Sequence, residues 1–387
     1  MGQQPTSADG GVRLHAMDNL RAVMMWLGIV LHVAALYATQ PMPNAWHDDR
    51  STVTADLVVG AIHAFRMPAF FIVGGFFAAL LARSRGPAGL TRHRLLRLGL
   101  PFVVFWPVLW PLSGWASVLF LNRMQTDAWV LDASMAGTRS LLAMPSTVHL
   151  WFLWMLLWLC LLTAAVWRVP RRWVSPFADL LTWLARQPWG FLVLALPLLL
   201  ASAGYPRAML QPSNAFLPPW NEWLFYGCFF VFGLVLHGQQ THFFALFHRR
   251  WVHFAVGGLG CLIATIAVTS SGGAPLLASY LYTCIAWLWS FAAMGVALRF
   301  GAVRRPVLGY LADSAYWVYL VHYPVTILLG AWLYHMPLPP LLKIASNIAL
   351  TTVVCLGSYA LFVRHGWVGQ MLNGKRHPRP APTLMAP

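Results

Sequence analysis

The chain has 387 residues, of which 59% are hydrophobic and only 9% charged, against roughly 45–50% and about 25% in soluble domains. These proportions exclude a soluble globular enzyme. The net charge of +16 would suggest nucleic acid in a soluble chain, but in an apolar one basic residues first report membrane orientation, so a nucleic-acid partner is not expected.

A membrane-crossing helix needs about 20 predominantly apolar residues. Such segments fall near 20–38, 56–82, 98–121, 148–167, 189–203, 222–238, 251–270, 276–298, 307–333 and 341–363. The sequence therefore predicts an all-α integral membrane protein of about ten transmembrane helices. Residues 1–19 form a polar leading segment without a small-residue cleavage site, so no removable signal peptide is expected. Residues 20–363 form the transmembrane domain, and 364–387 a Pro-rich basic tail. The 21 Trp residues suit bilayer interfaces. Cys160, Cys228, Cys261, Cys284 and Cys355 lie in apolar runs at no metal-ligand spacing, so they read as core residues, with no metal site expected.

When alternate loops are assigned to one side, twenty of the 26 basic residues collect there, including Arg13, Arg21, Arg83, Arg85, Arg92, Arg94, Arg97, Arg249, Arg250, Arg304, Arg305, Lys375, Arg376 and Arg379. The other side holds Arg50, Arg123, Arg139 and Arg207, while Arg66 and Lys343 lie within segments. The asymmetry places both termini in the cytoplasm. Lys343, near a helix end, is expected to extend its ammonium group toward water.

Ionisable groups inside a span cost several kcal/mol and usually face a cavity or a partner. His32 lies about 18 Å into its helix from the cytoplasmic end, and Arg66 about 15 Å into the returning helix, at about 1.5 Å per residue. The two meet at similar depth. His63, three residues before Arg66, shares its helix face, and His322 also falls in the outer half, which predicts a polar chamber opening outward. His149 and Glu222 are expected at outer rims, with Trp151 beside His149 in an aromatic belt. On the inner side, Asp18 is placed to orient Arg21, and Arg94 and Arg97 are spaced to clamp one phosphate. Asp313 reads as a helix cap or a partner of Arg305. An inner phosphate rim and an outer histidine chamber suit an enzyme that uses a cytosolic phosphorylated donor on an external acceptor. A secondary transporter is the rival reading, with the intramembrane His/Arg cluster as its path, but it calls for inverted repeats that the hydropathy does not display.

The residues also carry a resemblance. Met17-Asp18-Asn19-Leu20-Arg21, then ten residues, then His32 resembles the opening motif of the membrane acyltransferase 3 family. Phe65-Arg66-Met67-Pro68 through Phe77 resembles its second-helix motif, and His149-Leu150-Trp151-Phe152 and Ser314 through His322 resemble the branch containing the glucan biosynthesis protein C type. The resemblance implies transfer of an acyl group, succinyl or acetyl, from cytosolic acyl-CoA to a carbohydrate outside the bacterial inner membrane. No resident cofactor is implied, and association with glucan-synthesising proteins is expected. It maps the essential histidine onto His32 and the donor-side arginines onto Arg21, Arg94 and Arg97. The chain lacks the wider family's Ser-Leu-x-x-Glu type of motif and has His149-Leu150-Trp151 instead, which leaves the acceptor open. In this reading His32 deprotonates the acceptor hydroxyl or carries the acyl group transiently, Arg66 and His63 stabilise the oxyanion, and His322 completes the catalytic set. Asp18, His149, Trp151 and Tyr319 join the three arginines in substrate binding.

Overall fold

The computed structural model describes residues 7–40, 45–202, 205, 209–301 and 306–374, with side chains from residue 15 and without that of Arg171. Arg207, Arg304, Arg305, Lys375, Arg376, Arg379, the side chain of Arg13 and the tail beyond 374 lie outside the described residues. Within them the chain is helical, with no strand. The helices are α1 (Ser7–Ala35), α2 (Val53–Arg94), α3 (Leu100–Thr126), α4 (Ala133–Ala136), α5 (Trp151–Val166), α6 (Arg171–Arg186), α7 (Gly190–Ser202), α8 (Trp220–Gly238), α9 (Gln240–Ser270), α10 (Pro275–Phe300), α11 (Pro306–Leu333), α12 (Pro340–Ser358) and α13 (Trp367–Asn373). Each of the ten apolar segments read from the sequence lies for most of its length on one of them. α1 begins well before residue 20, so part of the polar leading segment is helical.

Among the described residues, seven helical stretches are long and apolar enough to cross a membrane. One of these, Val53–Thr126, is 74 residues long, about 110 Å at the helical rise, far beyond a bilayer core of about 30 Å. Gly86 breaks it: its φ of +69° is a conformation that glycine adopts without a Cβ clash, and Pro87 follows. α6 and α7 together meet the same length and composition test but are bent by 118°. The molecule is therefore a helical membrane protein.

Lipid offers no hydrogen bonds, so most buried polar side chains find a partner inside the protein. Ser290, Thr163 and Ser202 return their hydroxyls to the carbonyls of Ala286, Leu159 and Leu198, one turn back, at 2.6–2.8 Å. Packing between helices depends on close backbone approach. A Cβ on Gly75 of α2 would lie 2.0 Å from the Phe230 carbonyl oxygen of α8, and one on Gly233 of α8 would lie 2.0 Å from that of Ile72. The reciprocal pair lets α2 and α8 touch backbone to backbone, as small residues do in membrane bundles. An aromatic layer of Phe229, Phe232, Phe247, Trp287 and Phe291 fills the space between α8, α9 and α10.

At the far end of α1 the segment after Tyr37 folds back on its own helix, with the Asp48 amide donating to the Leu36 carbonyl and that of Thr52 to Tyr37, both at 2.9 Å. Lys343 does not reach toward water as expected. It is fully buried, and its Nζ lies 2.8 and 3.0 Å from the two Asp48 carboxylate oxygens and 3.3 Å from Asp49. Asp49 in turn accepts from His335 at 2.9 Å. A buried ammonium is tolerated when paired and is costly alone, so the pairing overrides snorkelling. Burial pushes the Asp48 carboxyl up to about 6. Asp49 lies at about 2: burial opposes its ionisation, but hydrogen bonds from Asp48 and His335 and the Lys343 charge outweigh it.

Candidate active site

α1, α2, α5 and α11 meet around a cavity of about 20 Å³ lined by His32, Arg66, His149, Trp151, Tyr319 and His322, with Met24, Met25, Met67, Phe70 and Phe152 as its apolar wall. That volume holds about one water molecule. The His32 ring centroid is 5.4 Å from that of His322 and 4.9 Å from Tyr323, and His149 is 5.6 Å from His322 and 5.0 Å from Tyr323.

The backbone fixes how two of these imidazoles present themselves. His322 Nδ1 lies 2.9 and 2.8 Å from the carbonyl oxygens of Val318 and Tyr319. A carbonyl only accepts, so Nδ1 carries the proton and Nε2 presents a lone pair. Nε2 is buried with no partner among the described residues. His149 has the opposite tautomer: its Nε2 donates to the Leu320 carbonyl at 2.8 Å, leaving buried Nδ1 without a partner. His32 makes ring contacts but no hydrogen bond among the described residues, which leaves both of its nitrogens available. Two oriented bases and one unrestrained imidazole thus share one small space.

Arg66 supplies the positive charge. It forms no ion pair among the described residues, and the hydroxyls of Tyr226 and Tyr319 lie within its electrostatic reach. Gly28, one turn before His32 on α1, makes room for it, since a Cβ there would lie 2.8 Å from Arg66 Nη1 and 3.4 Å from His322 Nε2. Tyr319 donates to the His149 carbonyl at 2.7 Å, which ties α11 to the start of α5. Val148, just before His149, holds φ at +50°, a strained value for a β-branched residue, in the short 3₁₀ turn Val148–Leu150 that aims His149 inward.

The structure thus brings together His32, Arg66, His149, Trp151, Tyr319 and His322. His63 is within electrostatic range of His32 but does not line the cavity, and its Nε2 donates to the Leu210 carbonyl at 3.0 Å. His149 is buried inside the site, where the sequence suggested an outer rim. Glu222 is buried too, its carboxylate accepting from the Ser213 amide. Tyr323 and Gly28 escaped the sequence reading because neither is ionisable in the useful range, although each sits one position or one turn from a site histidine.

At the other end, Arg21 pairs with Asp18 at 3.2 Å, both half-exposed. Arg94 lies at the end of α2 with a buried Nε that has no partner among the described residues. Arg97 lies in a π-helical turn, Leu95–Gly99, and donates Nη1 to the Gln370 and Met371 carbonyls at 3.3 and 2.9 Å. It caps the C-terminal end of α13, as cations do at helix ends. The Asp313 carbonyl accepts from Asn373 at 2.7 Å; its expected partner Arg305 lies outside the described residues. Among the described residues no three His, Cys, Asp or Glu side chains are grouped to hold a metal ion, and all five cysteines are free thiols.

A family profile described as "Acyltransferase domain" matches residues 14–363. Curated relatives named "Glucans biosynthesis protein C", from Salmonella agona (strain SL483), Salmonella paratyphi A (strain ATCC 9150 / SARB42) and Salmonella enteritidis PT4 (strain P125109), are 26% identical over 341 residues, covering 83% of this chain and 84% of theirs. No solved structure matches the chain. With nearly the whole helical core inside the match and an imidazole-lined cavity at its centre, the chain belongs to the acyltransferase 3 family and is a membrane acyltransferase.

Proposed function

We propose that the protein is an inner-membrane O-acyltransferase that moves a succinyl or acetyl group from cytosolic acyl-CoA to a hydroxyl of a periplasmic glucan. Residues 20–363 form the catalytic unit, with ten membrane crossings and both termini in the cytoplasm. The observation that carries the reading is the cavity in which His32, His149 and His322 face one another beside the guanidinium of Arg66, which has no ion pair among the described residues. The relatives' name, "Glucans biosynthesis protein C", supports a glucan as acceptor.

A sugar hydroxyl is a weak nucleophile and needs a base that works near neutral pH, which imidazole supplies. His32 takes the hydroxyl proton as the oxygen attacks the thioester carbonyl. The tetrahedral oxyanion forms against Arg66. Collapse breaks the carbon–sulfur bond, and the proton passes to the departing CoA thiolate, leaving an ester and the free thiol. His322 and His149, each tethered by a backbone carbonyl, hold the neighbouring polar wall in register, and Tyr319 links them. His63 braces the α2 face that carries Arg66. Asp18 orients Arg21 toward the donor, and Arg94, with Arg97 once α13 yields its carbonyls, meets the donor phosphates. Metal chemistry and a resident cofactor play no part in this scheme, and glucan-synthesising proteins are the natural partners.

Deletion of the gene, followed by mass spectrometry of the periplasmic glucans, tests the assignment. Loss of about 100 Da per substituent identifies succinyl and about 42 Da acetyl, simple mass arithmetic for ester-forming acyl transfer. Unchanged glucans would contradict the acceptor.

A further inference from the structure

Away from the catalytic cavity, a concave pocket of about 300 Å³ opens between the end of α6 and the start of α9. Arg186, His242, Arg249 and Arg250 line it with Phe243, Ala245 and Leu246. None of its lining residues is acidic, and the three arginines form no ion pair among the described residues. Simple membrane orientation accounts for arginines at this end of the bundle. It does not account for their convergence on one hollow.

Two features beside the pocket indicate what it holds. α6 is amphipathic and bends away from α7 by 118°, with Trp173, Phe177 and Leu180 exposed along one face at half or more of their surface. A helix with an aromatic apolar face and arginines at its ends lies in the interface at headgroup depth. The second feature is α9. His242, Ala245, Arg249, Val252, Val256, Leu259, Ile263 and Ile266 recur every three or four residues, so they share one helix face. The apolar members of that face are exposed, Val256 and Ile263 at about 60%. One strip of helix therefore begins with basic residues at the interface and continues without interruption into bare aliphatic surface.

We propose that this pocket binds the phosphate headgroup of an anionic phospholipid, with an acyl chain lying along the α9 strip. Basic pockets at the membrane face are suited to phosphate headgroups, and guanidinium forks match phosphate oxygens in pairs. Charge complementarity selects an anion, and the adjoining aliphatic strip selects a lipid over a soluble phosphate.

The test uses the full-length protein in mixed phosphatidylethanolamine and phosphatidylglycerol nanodiscs, with native mass spectrometry of the lipid that stays bound after release. Phosphatidylglycerol should be enriched over its bulk share on the wild type. Arg186→Gln/Arg249→Gln/Arg250→Gln should lose that enrichment by roughly tenfold or more, and Arg299→Gln, an exposed arginine at the same end that does not line the pocket, should keep it. The single Arg249→Gln variant, with a loss of about fivefold, keeps the test readable if the triple variant fails to fold. Retained enrichment in the arginine variants, or an equal loss in Arg299→Gln, overturns the proposal. So does displacement of the lipid by inorganic phosphate, which would assign the pocket to a soluble anion.

Discussion

At Gly28 two effects of one methyl group oppose each other. A Cβ there would crowd Arg66 Nη1 at 2.8 Å and approach His322 Nε2 at 3.4 Å, while alanine in a helix interior is favoured over glycine by about 1 kcal/mol. Gly28→Ala should therefore leave the melting temperature unchanged or slightly raised and lower acyl transfer at least tenfold, because displacing the guanidinium weakens a preorganised charge. Normal turnover in this variant would mean that Arg66 does not work where it lies. This residue-scale arrangement was partly legible in the sequence. His32, Arg66 and His322 stand out as ionisable groups in apolar runs, and the fixed helical rise converts their positions to depths. The burial of His149 was not legible, because it depends on the strained turn at Val148, which no periodicity reports. The tethering of His149 and His322 rests on backbone carbonyls supplied by α11, and a side-chain pattern says nothing about those.

Between elements, α2 and α8 meet at a close joint, where Gly75 and Gly233 face each other's neighbouring backbone. α2 carries Arg66, so this joint sets the position of the cavity's charge. Gly233→Val would drive its side chain into the Ile72 carbonyl and should destabilise the protein by about 1–3 kcal/mol, the range for overpacking, readable as a lowered melting temperature in detergent. An unchanged melting temperature would show that the two helices can part without cost. Helix positions were readable because apolar runs of about 20 residues are a strong signal, whereas the ends were not. α1 extends back to Ser7 and α9 to Gln240, since polar residues also continue a helix beyond the bilayer. The capping of α13 by Arg97 joins residues 273 positions apart, a contact that local spacing does not report.

For the whole molecule, the Lys343, Asp48 and Asp49 cluster fastens α12 to the segment that follows α1. Lys343→Met removes the cation from a buried carboxylate and should cost about 3–5 kcal/mol, seen as a large drop in melting temperature; a small drop would show that the carboxylates are solvated. The cluster also carries a pH signature. The folded chain keeps the Asp48 proton up to about pH 6, whereas an unfolded aspartate releases it near 4. Protons are thus bound more tightly in the native state across that window, and the stability contributed by this group falls as pH rises through it. Comparing melting temperatures from pH 4 to 6, Asp48→Asn should gain on the wild type as pH increases, and parallel curves would refute the assignment. The sequence did not disclose this fastening, because Lys343 and its partners lie nearly 300 positions apart in the chain.

Acyl transfer is proposed to take place in one histidine-lined cavity inside the bundle. It is tested most directly by reconstituting wild type and His32→Ala in liposomes and supplying succinyl-CoA or acetyl-CoA on one side and glucan on the other. Wild type should yield glucan ester and free CoA, and His32→Ala neither above background, although the variant inserts and melts like the wild type. Full ester formation by His32→Ala would contradict this.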